Sequence, residues 1–171
     1  MKRNHLWFVL GLVALVGGCA LGYTRLAKAP EGRFGTYRIV EVPDLAASDL
    51  VPAEVKKEIP DMIVKELSEQ KLFEKVERGS GGSGGSILLL KGQVIQYNPG
   101  SRGMRYLTGP FWGVGKGSVI VNVKFIDKSS EKELAEATFE GEIKGGLFGG
   151  GIDETHEKIA EEIVQFLKSN Y

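Results

Sequence analysis

Residues 134–143 read Leu134-Ala135-Glu136-Ala137-Thr138-Phe139-Glu140-Gly141-Glu142-Ile143. Ala135, Ala137, Phe139, Gly141 and Ile143 fall on one side of an extended chain, and Glu136, Thr138, Glu140 and Glu142 on the other. Side chains of a strand alternate between faces, so this two-residue period marks a strand with one dry and one wet face. Antiparallel sheets carry such a pattern, whereas parallel sheets are apolar on both faces. The stretch therefore demands an antiparallel sheet covered on a single side.

Working outward, Val119, Val121, Val123 and Phe125 repeat the same period, and a polar turn at 128–132 joins the two strands. Phe139 is expected to face the covering layer with Val121 and Val123. A third strand occupies 87–97. Downstream, Ile152, Ile159, Ala160, Ile163, Phe166 and Leu167 recur at helical spacing after Asp153, which suits an N-cap or first-turn position. Upstream, Val51, Val55, Ile59, Ile63 and Leu67 do the same, with Met62 beside them. Pro60 interrupts that series at a cost of ~3 kcal/mol in a helix interior, which predicts a short turn and then a main helix over 60–70. Residues 36–42 read as an opening strand stopped by Pro43-Asp44, and 72–76 as a short strand. The glycine-serine run at 79–86 reads as a hairpin loop kept mobile by entropy. The order is β-α-β-β-β-β-α. It predicts an α+β two-layer sandwich, a mostly antiparallel sheet of about five strands with two helices on one face.

The start of the chain has a different character. Lys2 and Arg3 precede an apolar run from Leu6 to Val16, too short for the ~20 residues that span a bilayer. Val16-Gly17-Gly18-Cys19 then offers small residues to a signal peptidase, so 1–18 reads as a secretory signal. A cysteine directly after such a site resembles the lipobox of bacterial lipoproteins, with Val16 where leucine is commoner. That resemblance implies a diacylglyceryl group on Cys19 and a membrane held through the lipid. Ala20, in place of the aspartate that retains enteric lipoproteins in the inner membrane, implies an outer-membrane address facing the periplasm. Residues 19–35 lack apolar periodicity and read as a lipidated tether reaching ~50 Å when stretched. The domain then occupies 36–171.

Removing the signal subtracts Lys2 and Arg3 from 22 basic residues, leaving 20 against 22 acidic ones. That balance offers no electrostatic footprint for nucleic acid. With Cys19 lipidated no thiol remains for a disulfide or a nucleophile, and His156 is the single histidine left. No metal site or cofactor is expected from that inventory. His156 reads as a helix-surface or partly covered residue rather than a catalyst, and Glu154, Glu157, Glu161 and Glu162 as a solvated face.

The glycine-rich stretches at 98–117 and 144–151 carry the candidate site. Antiparallel strands reverse direction, so both stretches are expected to leave the same end of the sheet. They would bring Arg102, Arg105, Tyr106, Phe111, Trp112, Lys116 and Phe148 together as a partner-binding surface, since aromatics and arginine are enriched at interfaces. The competing reading folds these rings back over the core. Gly113-Val114-Gly115-Lys116-Gly117-Ser118 fails as a phosphate loop, because Pro110 and Gly117 stand where glycine and serine or threonine are required. No serine sits in a nucleophile elbow, and no catalytic residue is assigned.

Val42-Pro43-Asp44, Lys71-Leu72-Phe73-Glu74-Lys75-Val76, Gly100-Ser101-Arg102, the 113–118 stretch and the terminal helix together resemble a domain-of-unknown-function family of bacterial lipoproteins. More distantly the arrangement is similar to periplasmic α+β domains of the curli secretion channel lipoprotein and of the Tol translocation protein. The resemblance implies a non-enzymatic envelope lipoprotein that docks a protein partner or copies of itself. The alternative is a carrier for an amphipathic ligand or glycan, with a hydrolase third.

Overall fold

The computed structural model describes residues 20–100, 117–143 and 151–171. The elements are β1 (Ala20–Lys28), a 3-10 turn (Phe34–Thr36), β2 (Ile39–Val42), α1 (Ala53–Gln70), β3 (Lys75–Arg78), β4 (Ile87–Asn98), β5 (Ser118–Asp127), β6 (Lys132–Ile143) and α2 (Asp153–Ser169). They form one six-stranded sheet in the order β1-β6-β5-β4-β2-β3. β1, β6, β5 and β4 pair antiparallel, while β2 runs parallel to both β4 and β3. The α+β class and the two helices agree with the sequence reading. The long strands do too: Val121 lies opposite Phe139 and Val123 opposite Ala137, all buried against the helices.

The expected tether is a correction. Residues 20–28 form β1, which pairs along β6 from Ala20↔Ile143 to Lys28↔Glu136. Without it, the twelve residues of β6 would expose an open edge, which natural sheets avoid. Gly22 lies under α2, where an added Cβ would stand 2.6 Å from Glu162 Cγ. The Thr24 hydroxyl donates to Glu162 Oε2 at 3.0 Å. The strand is hard to see in sequence because Tyr23, Thr24, Arg25, Leu26 and Ala27 are all exposed, leaving no alternation.

The second correction is α1, which is continuous through Pro60. Proline has no N–H to give the carbonyl four residues earlier. That carbonyl, on Lys56, instead accepts the Leu45 N–H at 2.9 Å. The loop after β2 thus satisfies the group that Pro60 leaves free, and no restart is needed.

The third is the glycine-serine run. β3 and β4 flank β2 and run in the same direction, so 79–86 is a crossover rather than a hairpin. Gly79 N–H donates to Val42 O at one end of β2, and Ser86 O accepts from Arg38 and Ile39 at the other. The run returns along the sheet face opposite α1, over Glu41. Lys128 Nζ holds it there, reaching Glu41 Oε1 and Oε2 at 2.7 and 2.8 Å, Ser80 O at 2.9 Å and Gly82 O at 2.8 Å. Glu41 is fully buried, so this pair is an interior ion pair of the kind that is costly to break on one side.

Candidate functional site at the loop end of the sheet

β4, β5 and β6 meet at one end in the register Asn98↔Ser118 and Ser118↔Glu142, and β1 begins there with Ala20↔Ile143. Segments 99–117 and 144–151 therefore leave and return at the same end, as antiparallel geometry requires. The corner is built by backbone. Ile143 N–H donates to Gly117 O at 2.9 Å. A Cβ on Gly117 would stand 2.8 Å from Ile143 Cδ1 and 3.1 Å from Ile152 Cδ1 and Pro99 O. A Cβ on Gly141 would lie 2.6 Å from Thr155 O, which lets the first turn of α2 press onto β6. Gly100, at φ 70°, gives its N–H to Asn98 Oδ1 at 3.0 Å and turns the chain out of β4.

Arg102, Arg105, Tyr106, Phe111, Trp112, Lys116 and Phe148, with Cys19, lie outside the described residues. The described part of this end adds two side chains that sequence reasoning missed. Ala46 pairs with Gln93 beside β4, so the chain continues towards this end before α1 starts, carrying Leu50 with it. Leu50 is 91% exposed, and Ile95, at a bulge in β4, is 55% exposed. Neither belongs to a periodic series, so no pattern singled them out.

Behind the corner sits a polar group. His156 is 1% exposed, which corrects the helix-surface reading. Its place on the α2 face towards α1 buries it, and Nδ1 lies 3.0 Å from Glu58 Oε2. Asp153 joins them, with donor atoms of all three within 4.8 Å of one another. Two carboxylates and an imidazole are a chemically plausible cation set. A metal-bound histidine, however, normally gives its second ring N–H to an acceptor, and among the described residues buried Nε2 has no hydrogen-bond partner. The contact instead ties Nδ1 to Glu58 and turns Nε2 into the core. Burial, and then the charges of Asp153, Glu58 and Glu54, push the nearby Tyr97 phenol up from its ordinary value.

A family model, the domain of unknown function DUF4410, matches residues 43–144, from the end of β2 to just past β6. The chain belongs to the DUF4410 family. The expected kinship with a domain-of-unknown-function family is thereby met. Among solved structures, a PelC dodecamer from Paraburkholderia phytofirmans is similar at 15% identity and a TM-score of 0.62, covering 86% of this chain and 97% of that one. A DUF330-family protein from Xanthomonas campestris is similar at 11% identity and a TM-score of 0.55, covering 81% and 88%. At these identities the likeness is one of fold. No curated protein matches the sequence.

Proposed function

We propose that this DUF4410 protein is a non-enzymatic lipoprotein of the cell envelope, anchored through Cys19 at the periplasmic face of the outer membrane, which docks or assembles through the loop end of its sheet. The observation that carries the reading is the shared origin of 99–117 and 144–151 at one end, beside exposed Leu50 and Ile95. Aromatics and arginines grouped on a rigid sheet end suit a contact surface. The PelC structure is described as a dodecamer, so a related fold supports assembly.

The carrier reading draws less support. Among the described residues, a hollow of about 500 Å³ lies at the opposite end, lined by Thr36, Arg38, Lys71 and Glu74 among others. Tyr37, Leu72, Phe73 and Tyr171 line it as well, but it lies away from the loop end, where the carrier reading places its pocket.

Two measurements test the proposal. Cys19→Ala releases the protein from the membrane or leaves the precursor unprocessed, read by fractionation and intact mass. Trp112→Ala weakens partner capture or self-association by ~2 kcal/mol or more while leaving the melting temperature nearly unchanged. A mature protein starting at Cys19 without added lipid mass defeats the anchor. A large loss of stability in Trp112→Ala returns these rings to the core.

A further inference from the structure

We propose that the free edge of β1 pairs antiparallel with the free edge of β3 in a second copy, so that copies of this chain join side by side in one continued sheet. The inference adds a self-contact away from the loop end, and its orientation rests on the lipidation of Cys19.

The two borders of the sheet differ in character. Among the described residues β1 has β6 on one side and no strand on the other, and β3 has only β2. β1 closes the edge of β6 but leaves its own nine residues at the border. Residues 23–27 are all exposed, Tyr23 to 47% and Leu26 to 53%. A long edge with exposed apolar side chains is a template for another strand. A bulge between Leu26 and Lys28 ends the regular edge. β3 offers four residues.

Hydrogen bonds at the strand ends show which backbone groups are free. Ile143 N–H points across to Gly117 beside β5. Successive residues point to opposite sides, so Glu142, Glu140 and Thr138 turn towards β1, and their partners Leu21, Tyr23 and Arg25 turn back to them. Gly22, Thr24 and Leu26 are left facing outward. In β3, Lys75 N–H donates to Arg38 O and Gly79 N–H to Val42 O, which leaves Val76 and Arg78 facing outward. Both outward sets carry their side chains on the helix side. Leu26 lies opposite Ala137, Val76 packs on the core, and Arg78 bonds Asp61 of α1. Opposed residues of an antiparallel pair share a face, so the two edges join with their helix layers on the same side.

Charge selects the register. Setting Leu26 opposite Val76 and Thr24 opposite Arg78 of the second copy puts Arg25 opposite Glu77. A shift of two residues either way puts Arg25 opposite Lys75 or Gly79. Opposite charges across a strand pair are favourable and like charges unfavourable. Arg25 has its side chain 83% exposed and meets Glu140 only at 3.9 Å. Glu77 is paired with Lys75, which in this register comes towards Glu136, the residue opposite Lys28. On the helix side Glu162, the acceptor from Thr24, comes towards Arg78, whose own acids are Asp44 and Asp61. Lys28 comes level with Glu74, but these already meet Glu31 and Arg38, so Arg25 and Glu77 decide the register.

The anchor selects the arrangement. Within one molecule β1 runs antiparallel to β3, so an antiparallel contact between these edges keeps all copies in one sense, with every Ala20 at the same end. Two β1 edges could also pair about Thr24, with Tyr23 beside Arg25. That pairing inverts the second copy and carries its Ala20 about 30 Å away, to the other end of the strand. Acyl chains on both copies of Cys19 could not then enter one bilayer. A head-to-tail contact repeats from copy to copy and closes into a ring where its rotation allows.

Arg25 and Glu77 form the non-hydrogen-bonded pair of this register, with Cα atoms about 4.5 Å apart, inside the range of a disulfide. Two full-length chains with different tags, one carrying Arg25→Cys and the other Glu77→Cys, are produced together, with the parent chain, whose single cysteine is Cys19, as background. The expected product is a disulfide between the two tags, and a ladder of larger species when one chain carries both substitutions. In untreated membrane extract, Arg25→Glu lowers the oligomer fraction roughly fivefold or more, with circular dichroism and melting temperature unchanged, and Glu77→Lys in the same chain restores it. Folded variants that give no mixed disulfide overturn the proposal, as does a charge reversal without effect. Dimers of Arg25→Cys alone or Thr24→Cys alone identify a two-fold β1 contact and overturn it too. Intact mass reports the anchor separately. Lipidated Cys19 without the mixed disulfide overturns the edge contact and keeps the lipoprotein, whereas the mixed disulfide on unlipidated protein supports the contact and removes the anchor.

Discussion

The two ends of the sheet are closed by different means. At the loop end, Gly117 and Gly141 bring backbone against Ile143, Ile152 and Thr155, and Leu50 and Ile95 stand exposed. At the opposite end, Phe34 stacks on Phe125 at 5.4 Å and Phe166 meets Phe125 at 4.9 Å. Tyr171 sets its ring edge-on against Phe73 at 5.5 Å. Polar contacts finish that end: Tyr37 donates to Asp127 at 2.9 Å, and Lys132 meets Glu31 at 2.7 Å. The surface ion pair is worth little in water, but the rings are not. Among the described residues, ring stacking is concentrated at this opposite end.

The largest expected effect tests that division. Phe125 is fully buried between Phe34 and Phe166, so Phe125→Ala should cost ~3–5 kcal/mol in chemical denaturation. Phe139→Ala, equally buried against α2, should cost a similar amount. A loss below ~1 kcal/mol for Phe125→Ala would mean that the ring cluster does not anchor the fold, and the contrast between the ends would fail.

Next comes the crossover at 79–86. Read as a hairpin, shortening it to four residues would matter little, because closure entropy grows only logarithmically with length. The structure predicts the opposite. The run must return the length of β2 and pass from β3 to β4 across it, a distance on the order of 15 Å. Four residues make five Cα–Cα steps and reach ~17 Å stretched flat, which leaves little slack to present Ser80 and Gly82 carbonyls to Lys128. The shortened protein should lose ~2–3 kcal/mol. Lys128→Met, which strands buried Glu41, should lose ~3 kcal/mol, and adding Glu41→Leu should restore most of it. Urea melts of the three variants sharpen the comparison, since their failure would put the crossover among the dispensable parts.

Smaller still is the effect of pH through Tyr37 and Asp127. The Ser129 hydroxyl, then the Ser130 backbone, then Tyr37 among others, hold the Asp127 carboxyl down at about 2, below its ordinary 3.8. A lowered acid contributes stability above its unfolded value and loses it as pH falls through the folded one. Burial, and then Asp127, push the Tyr37 phenol up to about 12 from 10.0. Its contribution is complete below the ordinary value and is lost as pH rises through the raised one. The melting temperature should therefore be flat with respect to this pair between pH ~4 and ~10 and fall on both sides. Tyr37→Phe should remove the alkaline decline and leave most of the acid one, because serine supplies the larger share at Asp127.

What could be read from sequence divides along physical lines. β5, β6 and α2 were legible because each buries one face, and burial writes its period into the residues. β1 was not, because an edge strand with exposed Tyr23 and Leu26 writes no period. Pro60 misled because its cost is removed by a bond from Leu45, distant in sequence. The pairing of Glu41 with Lys128 left no mark in the sequence, since alternation gives the face of a strand but not what crosses it. The shared end of the two glycine-rich segments followed from strand reversal alone, whereas the burial of His156 depended on how α1 meets α2.

The smallest stability effect discriminates most about function. Leu50 is 91% exposed in the turn before α1, so Leu50→Ser should change stability by no more than ~0.5 kcal/mol. Ile95→Thr keeps a β-branched side chain at an exposed bulge and should change it as little. If the loop end is a contact surface, the same substitutions remove exposed apolar area from it, and each should weaken partner association several-fold. Stability and association measured on one preparation decide the matter. A neutral melt with weakened association identifies a surface built for contact. A neutral melt with unchanged association means that these two side chains stand outside the contact and confines it to the residues of 99–117 and 144–151. A substantial loss of stability would show that this end, too, holds the fold, and the contrast between the two ends would collapse.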